Sequence, residues 1–184
     1  MTKLKDIIYN KLPIQILSYL TKQRDGDAIY GSMLADTLKI SQGATSTFLK
    51  QLRGMGILHS HNVGRTLVYN VDSRNPLLRQ FRVFDNLLEI TELVNEIKQY
   101  SRKIILFGSC AQGRDTHDSD IDLFIVADGD HHDIIRKSIS DFQAEREIKP
   151  VIIDSLELIE MEQNDKVFLE EVNKGIELWG GQYE

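Results

Sequence analysis

A single cysteine, Cys110, leaves no intramolecular disulfide possible and fits a reducing cytoplasm. No Cys/His cluster has zinc spacing. No apolar run approaches the roughly 18 residues of a membrane span, so no membrane partner is expected. The opening stretch, MTKLKDIIYNKLPIQ, scatters its lysines and lacks an apolar core with a small-residue cleavage site, which argues against a secretory signal. Low-complexity sequence is absent, and a 41% hydrophobic fraction is ordinary for a globular chain of 184 residues. That length allows one domain or two small ones.

Acidic residues are scarce in one part only. Residues 1–75 hold 10 Lys plus Arg against 5 Asp plus Glu, while residues 76–184 hold 12 against 23. The net charge of −6 therefore averages a basic segment with an acidic one. Such asymmetry points to two parts with different partners, the basic one suited to a polyanion.

In the basic part, apolar residues from Leu4 to Leu20 (Ile7, Ile8, Leu12, Ile16, Leu17) predict a helix with a boundary at Pro13. Ala28-Ile29-Tyr30 reads as a link. A short helix is expected from Ser32, its N-cap, to Leu38, then a turn at Ile40-Ser41-Gln42-Gly43. A second helix is expected over Ala44 to about Met55, burying Ala44, Phe48, Leu49 and Leu52 and presenting Thr45, Ser46, Thr47, Lys50 and Arg53. Two alternating runs, 57–61 and 66–70, predict a hairpin with Asn62-Val63-Gly64-Arg65 at its tip. His59 and His61 within it read as strand histidines. From about Leu12 to Val71 this pattern resembles the small winged-helix domains of transcriptional regulators. The resemblance implies double-stranded DNA as partner, with Gln42, Thr45, Ser46, Thr47, Lys50 and Arg53 towards the groove and Arg65 on the wing.

Asn75-Pro76 opens a helix running to about Tyr100. Its apolar stripe, from Leu77, Leu78, Phe81 and Phe84 to Val94 and Ile97, is wide enough to suggest a homodimer contact. The expected organisation is mixed α/β (α+β): a winged helix in 1–75, a connecting and dimerisation helix in 76–101, and a small mixed-sheet domain in 102–184.

Lys103 to Val126 carries the chemistry. An apolar strand (Ile104 to Phe107) runs into Gly108-Ser109; ten residues later Asp120-Ile121-Asp122 opens a second apolar run. Residues i and i+2 of a strand share a face, so the two carboxylates can share a divalent cation. Gly108 permits close backbone approach, and Ser109 stands where a helix would receive an anion. The segment Phe107-Gly108-Ser109-x-Ala111-x-Gly113 with Ser119-Asp120-Ile121-Asp122-Leu123 resembles the signature of the minimal nucleotidyltransferases, within the DNA polymerase beta nucleotidyltransferase superfamily. The resemblance implies that Gly108 and Ser109 hold the triphosphate of an NTP, with ATP the expected one. It also implies that Asp120 and Asp122 bind Mg2+ or Mn2+ as catalytic residues.

This chain departs from that pattern. A third carboxylate is expected near Val151; Asp154 and Glu147 are the nearest acids. Gln112 stands where arginine is common. Cys110, near a possible helix start, is either a thiol of lowered pKa or a small residue in a tight turn. Asp128 to His132 reads as a loop, 133–145 and 155–173 as helices, 150–154 as a strand, and Trp179 as a packing residue. Three functions stay open: a DNA-binding regulator that binds NTP and Mg2+, an active nucleotidyltransferase acting on a protein or small-molecule hydroxyl, or an interaction module.

Overall fold

Pro13 marks a boundary as expected, because α1 (Leu12–Thr21) starts one residue before it. Proline suits a first turn, where its missing N–H has no helical partner to lose. The computed structural model describes residues 11–180, so the apolar positions Leu4, Ile7 and Ile8 lie outside the described residues. The chain divides into two units, at Asp85/Asn86.

In the first unit, β1 (Ile29–Tyr30) pairs antiparallel with β3 (Thr66–Val71), and β3 pairs with β2 (Leu58–Val63). The link expected at 28–30 is thus a strand, too short at two residues to show alternation. Gly64 and Arg65 alone close the hairpin, with Gly64 at φ 61 in the first central position, which favours glycine. Between β1 and the hairpin lie α2 (Gly31–Leu38) and α3 (Gln42–Gly54). Ser32 is not the N-cap of α2; Tyr30 is. Lys39 turns the chain at φ 54, and Ser41 caps α3 by accepting from the Ala44 N–H. Ile16, Leu20, Leu34, Leu49, Leu52, Leu58, Tyr69 and Leu78 close one core. Three helices and a three-stranded antiparallel sheet, β1-β3-β2, lie in the described part of this unit.

The second unit is a four-stranded mixed sheet in the order β6-β5-β4-β7. β4 (Lys103–Phe107) lies antiparallel to β5 (Ile121–Val126) and to β7 (Ile176–Gly180); β6 (Ile148–Ile153) is parallel to β5. Pro150 is tolerated because β6 is an edge strand. One face (Ile104, Leu106, Ile121, Leu123, Ile125) packs on Ile90, Leu93, Val94 and Ile97 of α4 (Pro76–Ile97) and on Ile135 of α6 (His132–Asp141). Between β4 and β5 lies the short α5 (Gly108–Gln112). The other face (Ile105, Phe124, Val126, Ile153) packs on Leu169 and Val172 of α8 (Lys166–Asn173), beside Leu158 of α7 (Ser155–Asn164).

Several boundaries differ from expectation. The single helix expected over 155–173 is two, broken at Asp165, which caps α8 by accepting from Phe168 N–H. α6 ends at Asp141, so Phe142 is extended. α4 supplies Leu78 to the first core and Ile90, Leu93, Val94 and Ile97 to the second, which accounts for much of its wide stripe. Leu77 and Phe84 stay exposed.

Candidate functional site

The two aspartates sit where β5 begins. Asp120 precedes the strand and Asp122 lies in it, paired in register with Phe107, the last residue of β4. Alternation puts Asp120 and Asp122 on the face that Phe124 and Val126 continue into the apolar layer. Gly108 follows Phe107 at φ +68, and a Cβ there would lie 2.5 Å from Asp122 Oδ2. Glycine is therefore required twice, for the backbone conformation and for room beside the carboxylate.

The electrostatics are those of carboxylates crowded together. Burial raises the Asp122 carboxyl above its ordinary value; the charge of Asp120 raises it further and Lys149 opposes both. Lys149 lies opposite Asp122 in the parallel β5–β6 register, and its Nζ pairs with Asp120 Oδ2 at 2.5 Å. That hydrogen bond and the charge of Asp120 hold the lysine above its ordinary pKa.

Two steps along β6 from Lys149, Val151 pairs with Phe124 and joins the apolar cluster. The position expected for a third acid is thus on the right face but apolar. Asp154 is engaged elsewhere: its Oδ1 accepts from the N–H groups of Leu156 and Glu157, and the Glu157 carboxylate accepts from the Asp154 N–H, a capping box for α7. Glu147 precedes β6 and is exposed. Among the described residues no group of three His, Cys, Asp or Glu side chains is arranged to hold a metal. Two neighbouring carboxylates beside a glycine opening suit a hard cation that brings further oxygen ligands with it.

Cys110 is not a thiol of lowered pKa. It is fully buried, and burial with the nearby Asp115 charge pushes it up to about 12. Its Sγ donates to the backbone oxygen of Asp120 at 3.2 Å. Around it lies a buried polar cluster with no local sequence signal. Arg146 donates from Nη1 to Asp115 Oδ2 at 2.8 Å, and from Nη2 to Asn86 Oδ1 at 2.8 Å and Glu89 Oε2 at 2.9 Å. Asn86 Nδ2 donates to the Cys110 oxygen and to Asp115 Oδ1, both at 3.0 Å. Burial works against the guanidinium charge, but Glu89, Cys110 and Asp115 outweigh it and raise its pKa. The cluster fixes the loop between α5 and β5, and so the backbone that carries Asp120. Trp179, expected to pack, is 37% exposed and in none of the apolar clusters, though its indole N–H donates to the Ser101 oxygen.

In the first unit the expected groove-facing set divides. Gln42, Thr47, Lys50, Arg53 and Arg65 are exposed and Ser46 is half-buried. Thr45 is fully buried and donates its hydroxyl to the Ser41 oxygen. Thr45, Leu49 and Leu52 make the buried stripe of α3, and Ala44 is exposed. Thr45 therefore leaves the set of possible DNA contacts. Arg53 Nη1 approaches Ser60 Oγ at 3.4 Å, and His59 and His61 face solvent.

Residues 88–183, just over half of the chain, match the family described as Polymerase beta, Nucleotidyltransferase. The chain belongs to that family. The match spans the sheet, α5 and both aspartates. No curated protein matches the chain. Among solved structures, Lactococcus lactis ZitR in complex with DNA is similar at 18% identity, over 52% of this chain and 75% of that one, with a TM-score of 0.38. TrmBL2, an archaeal chromatin protein, is similar at 14% identity, over 90% of this chain and 73% of that one, with a TM-score of 0.28. Both overlaps are too loose for anything about this nucleotidyltransferase-family chain to follow from them. No helix among the described residues is long and apolar enough to cross a membrane.

Proposed function

We propose that this protein is a DNA-binding transcriptional regulator whose nucleotidyltransferase-family unit binds an NTP, with ATP the expected one, together with Mg2+ or Mn2+. The observation that carries this reading is the pairing of Asp120 and Asp122 beside Gly108, with apolar Val151 where a third acid would complete a catalytic set. Asp120 and Asp122 would hold the cation, and Gly108 and Ser109 would receive the triphosphate. When bound, the cation supplies charge neutralisation at the phosphates. The chain's own contribution is to place two oxygen donors on one strand face and keep the phosphate approach free of side chain. In the first unit, Gln42, Ser46, Thr47, Lys50 and Arg53 on α3 and Arg65 on the wing would face DNA, supported by the positive balance of residues 1–75. Exposed Leu77 and Phe84 on α4 would serve a homodimer, whose twofold symmetry would match a palindromic site.

A second reading, transfer of NMP from an NTP to a protein or small-molecule hydroxyl, is favoured by the intact Gly108-Ser109 and Asp120-x-Asp122 pattern. Incubation with labelled ATP and Mg2+, with and without cell extract, separates the two. The regulator reading predicts nucleotide binding without label transfer. Transfer by the wild type that is lost in an Asp120→Ala/Asp122→Ala variant would establish the enzyme instead.

A further inference from the structure

Lys149 lies against the paired aspartates. It stands beside Asp122 in the sheet register and its Nζ lies 2.5 Å from Asp120 Oδ2. An ammonium thus already holds one of the two carboxylates that the nucleotide-site reading gives to a metal. The pair is accessible, with side chains 54% and 34% exposed for Lys149 and Asp120, so the lysine can leave without unpacking the core. A free divalent cation must displace the ammonium and offers it nothing in return. A cation arriving with a polyphosphate brings anionic oxygens that can take the ammonium over. Those oxygens also supply the ligands that two carboxylates alone do not.

We propose that Lys149 makes this site selective for a metal–nucleotide complex over the free metal, by guarding Asp120 until phosphate oxygens draw its ammonium away. Lys149 thereby acts as a nucleotide-binding and selectivity residue, and it does so on β6 two positions from Val151, where an acid was expected. The inference rests on Asp120 and Asp122 being the metal–nucleotide site.

The test titrates Mn2+ alone, followed by its electron paramagnetic resonance signal, and Mn2+ with ATP, followed by calorimetry. The proteins are the wild type, Lys149→Met, Lys149→Arg and Asp122→Asn, each first checked for a wild-type melting curve. Lys149→Met is expected to bind Mn2+ alone about two- to fivefold more tightly, the scale of a freed surface ion pair. It is expected to bind Mn2+ with ATP about tenfold more weakly, through loss of a charged hydrogen-bond donor. Lys149→Arg should restore both towards wild type. Unchanged affinities in Lys149→Met, or two affinities that move in the same direction, would overturn the proposal. If Asp122→Asn removes Mn2+–ATP binding while Lys149→Met changes nothing, only the role of Lys149 fails. Undiminished Mn2+–ATP binding by Asp122→Asn overturns the underlying site together with this proposal.

Discussion

Arg146 shows how much a single residue can organise without a motif to announce it. Its guanidinium is buried against Glu89, Asp115 and Asn86, and the cluster reaches Asp120 through Cys110. Removing one partner of such a buried set leaves uncompensated charge. Arg146→Met is therefore expected to lose about 3–5 kcal/mol in urea unfolding, and to weaken Mn2+–ATP binding at temperatures where the variant is still folded. Stability within 1 kcal/mol of wild type, on the order of a surface substitution, would show that the cluster is not structural. A pH effect belongs to Asp25, which accepts from the Ser73 N–H at 2.6 Å and from its hydroxyl at 2.7 Å. These bonds, the backbone one foremost, hold its carboxyl below its ordinary value of 3.8. A lowered folded-state pKa means stability that is present above 3.8 and lost as pH falls through the folded value. Asp25→Ala should thus lower the melting temperature at neutral pH, and that deficit should shrink as pH drops below 3.8. A deficit independent of pH would contradict the assignment.

At the scale of elements, the signal in the chain was strongest where hydrophobic period and glycine placement agree. β4, Gly108 and the opening of β5 fall where Lys103 to Val126 places them, and Pro76 starts α4. The wing was legible because alternation flanks Gly64. What escaped notice depends on contacts distant in sequence. β1 is two residues whose strand character comes from pairing with Val68 and Tyr69. Thr45 reads as polar and therefore exposed, yet its hydroxyl is satisfied by Ser41 one turn back, so it can enter the core. Asp154, an acid near the expected third position, instead accepts from the first N–H groups of α7. Lys149 becomes visible only when β6 is set in register with β5. Gly108→Ala should cost about 1–2 kcal/mol for its left-handed backbone and remove Mn2+–ATP binding, since its Cβ would press on Asp122; calorimetry checks both. In α3, Lys50→Ala or Arg53→Ala should weaken DNA binding and reduce its salt slope by about one phosphate contact each. Thr45→Val should leave both unchanged; a Thr45→Val effect equal to that of Lys50→Ala would mean that the buried stripe of α3 has been misassigned.

At the scale of the whole molecule, the charge division in the sequence corresponds to two units with separate cores, a mainly helical one and a nucleotidyltransferase-family sheet. If one protein binds DNA and nucleotide for a single purpose, the two bindings must be linked, and linkage is reciprocal. ATP with Mg2+ should then shift the DNA affinity, and DNA should shift the ATP affinity by the same factor. Nearer the chemistry, Asp120 and Asp122 beside Gly108 are proposed to form a site for a metal-bound nucleotide. Calorimetric titration of ATP into the full chain tests it most directly, with and without Mg2+, for the wild type and for an Asp120→Asn/Asp122→Asn variant that retains a cooperative melt. The wild type is expected to bind ATP saturably and only with Mg2+, and the variant to lose that binding. Binding that persists without Mg2+, or that the variant retains in full, would contradict it.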